Sequence, residues 1–185
     1  GDHRDLHSFP TRRSSDLPRK GGNSDILCDQ FILGAEEAGH KAEKIFLRDK
    51  KINYCVACDT CQGNGGKCAQ NDDMGEIMDK MAAADVIVMA TPVYFYTMNA
   101  QLKTLIDRTY ARYTEISAKE MYFILTAANP QKEAMERTVE GFRGFTSCLN
   151  GADERGIIYG TGAWNVGDIK ESETMAEAYE MGKNV

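Results

Sequence analysis

Four of the six cysteines lie within fourteen residues, at a spacing that suits metal or redox chemistry. They follow the pattern C-x2-C-x2-C-x6-C and comprise Cys55, Cys58, Cys61 and Cys68. Residues 1–17 lack the apolar core of an export signal. Clustered cysteines in a chain without such a signal favour metal or redox chemistry over disulfides.

Three states of this cysteine loop remain open from its spacing. The closely spaced thiols are similar to ligands of a ferredoxin-type iron-sulfur cluster such as 4Fe-4S, although the closing Cys-Pro dipeptide is absent. Four thiolates could instead hold a structural zinc ion, or all four thiols could be free and reduced. Cys28 and Cys148 lie outside the group, and we expect both to be buried small hydrophobic residues.

A second candidate site follows the apolar run Val86–Met89, which predicts a strand buried on both faces of a parallel sheet. The residues after it are Thr91, Pro92, Val93, Tyr94, Phe95 and Tyr96. Ligands in open α/β sheets bind beyond the carboxyl ends of the strands. A rigid turn with three aromatic side chains suits a flat heteroaromatic ring, or else an aromatic patch of the core or of a dimer interface.

A third candidate site is the turn Pro18–Ser24, with the sequence PRKGGNS. Its glycines, Gly21 and Gly22, let backbone N–H groups approach an anion, and the helix predicted to start near Ser24 adds positive potential. Arg19 and Lys20 contribute charge, so the turn suits a phosphate. It lacks the GKS or GKT ending of a P-loop, and the alternative is an ordinary basic loop before a capped helix.

Alternating strands and helices are predicted to position these loops. The predicted strands are Glu43–Leu47, Val86–Met89, Tyr122–Thr126 and Gly156–Gly160, and the predicted helices cover Ser24–Gly39, Asp73–Ala83, Asn99–Arg108, Gln131–Leu149 and Glu171–Met181. The pattern predicts an α/β fold in which the loops after Thr126 and Gly160 join the ligand edge.

Length and charge limit the classes of protein to consider. A chain of 185 residues suits one domain, and 27% charged with 42% hydrophobic residues is ordinary for a soluble protein. No window has the apolar length of a membrane span. A net charge of −6 makes nucleic acid an unsuitable partner. We therefore expect a cytoplasmic protein.

Gly1–Leu17 does not fit this pattern, because no buried strand can be read before the turn at Pro18. Residues 7–17, HSFPTRRSSDL, are similar to the translation of a sequencing-library adapter. We interpret residues 1–17 as a non-native segment that replaces the first strand, and residues 18–185 as the domain. Only the last few residues before Pro18 are expected to enter the sheet, with Gly1 to about Pro10 irregular.

Three motifs in this order resemble the NADPH-dependent FMN reductase family, and within it the iron-sulfur flavoproteins. They are PRKGGNS, the cysteine group followed by Asp72-Asp73-Met74, and TPVYFYTMNAQLKTLIDR from Thr91 to Arg108. The resemblance covers Pro18 to about Met181 and implies a flavodoxin-like three-layer fold with a five-stranded parallel sheet in the order 2-1-3-4-5. The family pattern has Gly-Ser before the proline, whereas this chain has Asp16-Leu17.

The resemblance also implies an FMN site. Arg19, Asn23 and Ser24 would hold its phosphate, and Pro92, Val93, Tyr94, Phe95 and Tyr96 would line its ring. The other cofactor-binding residues would be Pro18, Lys20, Gly21 and Thr91, together with Thr126, Ala127, Gly160, Thr161 and Gly162 in the loops that complete the site. NAD(P)H would be the electron donor, and a small molecule or a protein the acceptor. A homodimer or homotetramer is implied, and no catalytic acid or base is required because the flavin carries the chemistry.

Two further classes of function remain open from the sequence. A flavodoxin-like electron carrier would bind FMN without catalysing steady turnover of NAD(P)H. A structural zinc-loop module would use the cysteines only to hold a protein interaction surface.

Overall fold

The computed structural model describes the backbone of residues 10–15 and all atoms of residues 20–185. The strands are β1 Pro10–Ser15, β2 Lys41–Phe46, β3 Val86–Tyr94, β4 Thr97–Met98, β5 Glu120–Thr126 and β6 Asp153–Gly160. The helices are α1 Asn23–Glu37, α2 Met74–Ala83, α3 Ala100–Arg108, α4 Glu136–Thr146 and α5 Thr174–Lys183. In this described part of the chain, no helix has both the length and the apolar character needed to cross a bilayer.

Five strands form a parallel sheet in the order β2-β1-β3-β5-β6. Taken in chain order these five strands follow the 2-1-3-4-5 arrangement. A sixth strand, β4, pairs antiparallel with the end of β3 and was not predicted. Because the five strands are parallel, their carboxyl ends meet at one edge, where a ligand crevice is expected.

Helices cover both faces of the sheet. On one face, α1 and α5 bury Leu27, Phe31 and Ala178 against alternate residues of β3, β5 and β6. On the other face, α2, α3 and α4 form a larger core that includes Ile77 and Phe142. β3 and β5 are therefore near-continuous apolar runs, since both of their faces lie against helices.

The expectation for the first strand was wrong in part. Residues 10–15 form a six-residue strand that pairs with β2 along its whole length. Among the described residues, Ser14 and Ser15 are those that pair with β3. Backbone pairing depends little on side-chain identity, so a sequence without an apolar run can still occupy the central position. The expected irregular stretch before Pro10 and the junction at residues 16–19 lie outside the described residues.

The expectation for the two separate cysteines was correct for Cys28 only. Cys28 lies in α1 and is buried in the core beneath the sheet. Cys148 is exposed. It follows the end of α4 at Thr146, in a turn where Leu149 rather than Cys148 faces the core.

The backbones of α1 and α5 are in direct contact at two glycines. A Cβ atom built on Gly34 would lie 2.0 Å from the carbonyl oxygen of Tyr179, and one built on Gly182 would lie 1.9 Å from that of Phe31. No side chain can occupy either position at this helix separation. The two glycines therefore set how closely α1 and α5 pack.

We expect Gly34→Ala to lower the free energy of unfolding by about 3 kcal/mol or more, because α5 must move away to admit the methyl group. In a domain of this size the melting temperature should fall by roughly 6 °C or more. Gly144→Ala in α4 is the matched control, since a Cβ there meets nothing within 4 Å. That change should raise stability by about 0.5–1 kcal/mol through helix propensity. Equal melting temperatures for the two variants would contradict a direct backbone contact between α1 and α5 at Gly34.

Candidate functional site

A cavity of about 680 Å³ lies at the carboxyl edge of the sheet. Its walls come from the start of α1, the end of β3 and the loops that follow β5 and β6. The lining residues are Gly22, Asn23, Ser24, Pro92, Val93, Tyr94, Phe95, Thr126, Ala127, Ala128, Ala163, Trp164 and Val166. The volume is in the range of sites that enclose cofactors and other small molecules.

Eight of the predicted cofactor-binding residues line this cavity: Asn23, Ser24, Pro92, Val93, Tyr94, Phe95, Thr126 and Ala127. Seven others do not line it: Lys20, Gly21, Thr91, Tyr96, Gly160, Thr161 and Gly162. Pro18 and Arg19 lie outside the described residues. Of the other lining residues, Gly22 lies in the predicted anion-binding turn, and Ala128, Ala163 and Trp164, the only tryptophan, lie in the predicted exit loops without having been named as site residues. Val166 was missed.

The predicted loop after β3 is a β-hairpin. β3 continues to Tyr94, and β4 begins at Thr97, so only Phe95 and Tyr96 form the turn. Both have positive φ angles, 49° and 64°. Two consecutive left-handed residues are typical of a type I′ turn, where Asn-Gly is preferred over aromatic residues. Phe95 is nevertheless 100% exposed, so no packing within the described chain compensates its backbone strain.

Thr91 connects this hairpin to the chain that follows it through hydrogen bonds of its side chain. Its side chain is fully buried. The hydroxyl donates to the carbonyl oxygen of Pro92 at 2.8 Å and accepts from the backbone N–H of Asn99 at 3.1 Å. Asn99 in turn caps α3 by accepting from the N–H of Leu102 at 3.0 Å. The hairpin is thereby attached to the start of α3.

The start of α1 forms the polar part of the cavity. Ser24 is hydrogen-bonded through its hydroxyl to that of Thr126, at 2.6 Å, which joins the helix to the end of β5. Asp25 accepts from the N–H of Gly21 at 2.7 Å and forms a buried ion pair with Lys44. The N–H groups of a first helical turn have no intrahelical partners, so they are available to an anion.

The basic side chains described near this helix end already have acidic partners. Lys20 pairs with Asp49 at 2.8 Å on the surface. Lys44 contacts both Asp25 and Asp29. Burial lowers the pKa of Lys44, but these two hydrogen-bonded carboxylates outweigh it and raise the pKa above its ordinary value. The lysine therefore stays charged and neutralises Asp25.

Asn23 connects the start of α1 to the loop between β6 and α5. Its side-chain Nδ2 donates to the carbonyl oxygen of Asn165 at 2.8 Å and to that of Ala163 at 3.4 Å. Its Oδ1 accepts from the N–H groups of Gly167 at 2.9 Å and Ile169 at 3.4 Å. The amide is thus bonded on both sides to backbone more than 130 residues away in the chain.

The loops after β5 and β6 are bonded to each other. Ala127 donates to Gly160 at 2.9 Å and accepts from Ala163 at 2.9 Å, while Gly162 donates to Asn129 at 3.0 Å, all through the backbone. A Cβ atom on Gly160 would lie 2.8 Å from the Thr126 side chain, so the glycine permits this close approach. Gly160 and Gly162 therefore allow the two loops that line the cavity to pack together, although neither glycine is itself a lining residue.

The cysteine loop is closed at its base by hydrogen bonds between its two ends. Lys51 and Asp73 are joined by two bonds, at 2.6 and 3.0 Å. Asn53 donates to Asp72 at 3.0 Å through its backbone, and the Gln70 side chain donates to the carbonyl oxygen of Tyr54 at 2.9 Å. The four cysteines lie beyond this stem.

A buried ion pair that sequence reasoning missed attaches the stem to α3. Arg108 donates to both carboxylate oxygens of Asp72, at 2.7 and 3.0 Å, and both side chains are almost fully buried. Arg108 also donates to the carbonyl oxygen of Asn53 at 2.6 Å and to Sγ of Cys68 at 3.5 Å. Burial raises the pKa of Asp72, but the hydrogen bonds from Arg108 and two backbone N–H groups outweigh it and hold the pKa below its ordinary value.

The thiols themselves are only partly sheltered. Cys55 and Cys58 are exposed, and Cys61 and Cys68 are half-buried. Hydrogen bonds from the side chain and backbone of Thr60 lower the pKa of the Cys58 thiol. Within residues 10–15 and 20–185, no three His, Cys, Asp or Glu side chains are grouped closely enough to hold a metal ion. The donor set suits a thiolate-ligated metal centre, but the loop does not hold its sulfurs in a ligating arrangement.

Comparisons with known proteins agree with this architecture. An azoreductase from Bacillus anthracis has the same fold, with a TM-score of 0.76 and 15% sequence identity over 96% of this chain and 100% of that one. An iron-sulfur flavoprotein of Archaeoglobus fulgidus is 42% identical over 49% of this chain and 41% of its own length. An iron-sulfur flavoprotein of Methanosarcina thermophila is 39% identical over 51% of this chain and 49% of its own length.

This chain therefore spans about half the length, or less, of these two relatives. A broader match comes from a family model. Residues 16–153 match the model of NADPH-dependent FMN reductases, which is most of the sheet and four of the five helices. The chain belongs to the NADPH-dependent FMN reductase family.

Proposed function

We propose that the protein binds FMN in the edge cavity and catalyses the FMN-dependent transfer of electrons from NAD(P)H to a second acceptor. The observation that carries the proposal is that one cavity is lined both by the start of a helix and by an aromatic hairpin. A helix N-terminus suits a phosphate, and flat aromatic walls suit a flavin ring. Membership of the FMN reductase family supports the same reading.

The phosphate would bind at the first turn of α1 and the chain before it, with Pro18, Arg19, Lys20, Gly21, Asn23 and Ser24 as the proposed residues. The N–H groups of this turn supply donors and the helix dipole supplies positive potential. Ser24 is held in place by its bond to Thr126. The task of these residues is to fix one end of the cofactor so that its ring reaches the hairpin.

The ring would lie against the hairpin and the exit loops, which include Thr91, Pro92, Val93, Tyr94, Phe95, Tyr96, Thr126, Ala127, Gly160, Thr161 and Gly162. Bound there, FMN supplies the hydride and electron transfer chemistry. The hairpin and the loops orient the ring, and the aromatic side chains exclude water from it. The strained, exposed turn at Phe95 and Tyr96 fits a role in contacting a ligand, since strain of this kind persists at functional sites.

We further propose that Cys55, Cys58, Cys61 and Cys68 ligate an iron-sulfur cluster of the 4Fe-4S type. Two relatives that carry this name support the proposal. Four thiols on a loop closed by a fixed stem are a suitable donor set. The exposed thiols would have to come together on metal binding, and the free energy of ligation would order the loop.

The proposal also includes an oligomer in a reducing, cytoplasmic setting. Six free thiols, several of them exposed, suit a compartment that keeps thiols reduced. Phe95, Trp164 and Val166 form exposed apolar surface at the rim of the cavity. A homodimer or homotetramer would cover such a rim near the flavin.

The activity can be tested together with the location of the site. Protein supplied with FMN should oxidise NADPH or NADH steadily when excess FMN or a quinone is present. Ala128→Trp fills the cavity from an exposed position and should weaken FMN about tenfold or more, which is about 1.4 kcal/mol. Ala176→Trp, on the exposed face of α5, is the control and should leave FMN binding unchanged.

Two results would count against this function. A single stoichiometric reduction of bound FMN without further turnover would identify an electron carrier. Equal FMN affinity in the Ala128→Trp and Ala176→Trp proteins would place the flavin elsewhere.

The cysteine loop is tested by metal and sulfide analysis. Anaerobically prepared protein should contain iron and acid-labile sulfide together, and Cys→Ser at any one of the four positions should remove most of both. Cys148→Ser is the control, since Cys148 is exposed and lies outside the loop. Zinc without sulfide would replace the cluster with a structural zinc site, and the absence of both metals would leave four free thiols.

The strained hairpin gives a prediction with opposite signs for stability and function. Replacing Phe95-Tyr96 by Asn-Gly should raise the free energy of unfolding by about 1–2 kcal/mol, because these residues favour the type I′ turn. The melting temperature should rise by roughly 2–8 °C, while flavin-dependent turnover falls. Ala118→Asn is the control, since Ala118 also has a positive φ angle, 52°, away from the cavity. It should gain stability with no loss of turnover; a hairpin variant with unchanged turnover would remove the functional argument for the strain.

A further inference from the structure

The side-chain amide of Asn23 has no hydrogen-bonding capacity left for a ligand. A carboxamide offers two N–H donors and one oxygen with two lone pairs. Both donors are used by the carbonyl oxygens of Ala163 and Asn165, and both lone pairs by the N–H groups of Gly167 and Ile169. The side chain is thus fully engaged by a single segment, residues 163–169.

That segment forms one wall of the cavity, and its middle part, from Trp164 to Val166, does not pack into the core. Ala163, Trp164 and Val166 line the cavity, yet the Trp164 side chain is 79% exposed and Val166 is also exposed. Gly167 has a φ angle of 93° and donates its backbone N–H to Asn23 at the start of α1. Ile169, at the end of the segment, is the residue buried in the core. The hydrogen bonds from Asn23 therefore hold the part of residues 163–169 that does not pack into the core.

We propose that Asn23 is a positioning residue, whose side chain holds the wall formed by residues 163–169 against the start of α1 and does not itself bind the phosphate. The inference rests on the proposed flavin site, and it assigns to the Asn23 side chain a different role from the one its position in the turn suggests. The backbone N–H of Asn23 remains part of the first helical turn.

The two roles differ in what they predict for flavins with and without a phosphate. If Asn23 acts through the wall, Asn23→Ala should weaken FMN and riboflavin by the same factor, about tenfold, because the phosphate contacts remain. If the side chain binds the phosphate, FMN should weaken and riboflavin should not. Titration of the Trp164 fluorescence with each flavin measures both affinities, since Trp164 is the only tryptophan.

A second measurement needs no flavin. In flavin-free protein, Asn23→Ala should speed hydrogen exchange at the N–H groups of Gly167 and Ile169, which Asn23 protects in the wild type. Asn184→Ala is the matched control, because its side chain also donates to a backbone carbonyl, that of Glu180, but at the far end of α5. It should change neither exchange in residues 163–169 nor the affinity for either flavin.

Gly167→Ala provides an independent variant should Asn23→Ala fail to fold. It leaves Asn23 intact and meets no atom within 4 Å, but it places a side chain at a φ angle of 93° and so disturbs the segment. It should weaken FMN and riboflavin equally. Selective loss of FMN in Asn23→Ala, or unchanged exchange in residues 163–169, would overturn the proposal. If wild-type protein binds neither flavin, the proposed function fails, while the exchange experiment still decides the role of Asn23.

Discussion

The contact between the backbones of α1 and α5 is the constraint on which the cavity depends. Gly34 and Gly182 let the two helices meet without side chains between them. This contact fixes the direction of α1, whose first turn lies at the cavity, and of α5, whose preceding segment forms a wall. The Asn23 side chain then joins those two parts at the ligand edge. The two helices pack together on one face of the sheet, and the cavity lies at the edge of the sheet where α1 begins and where the segment before α5 runs.

The other face of the sheet connects the cavity to the cysteine loop through α3. Asn99 caps the start of α3 and bonds to Thr91 beneath the hairpin. Arg108, at the end of α3, holds Asp72 and Cys68 in the cysteine loop. The helix rises about 14 Å between Asn99 and Arg108. A buried ion pair such as that of Arg108 with Asp72 is better suited to fixing a geometry than to adding stability, since desolvation offsets much of its attraction.

The parts of this structure that the sequence predicted depend on local patterns. The run Val86–Met89 is buried as its continuous apolar character requires, and the exit loops of three strands meet at the predicted edge. The errors concern interactions that local patterns do not encode. The strand at residues 10–15 is defined by backbone pairing with its neighbours, and the bonds of Asn23 reach across more than 130 residues. Aromatic residues in a type I′ turn contradict the usual preference, so the sequence predicts a rigid turn at Phe95 and Tyr96 but not the hairpin with β4.

The charged side chains described around the start of α1 indicate that the position of the helix end matters more for binding a phosphate than their own charge does. Lys20 and Lys44 are paired with Asp49 and Asp25, so neither presents an unopposed cation to a phosphate. A helix terminus alone contributes about 0.3–1 kcal/mol toward a neighbouring anion, and charge-assisted hydrogen bonds about 1.5–3 kcal/mol each. Among the described residues, the binding free energy of a phosphate would thus come mostly from backbone N–H groups aimed at it. The direction of these N–H groups depends on where α1 begins and on how its axis is oriented. The affinity of the site for a phosphate therefore depends on the packing of α1 against α5.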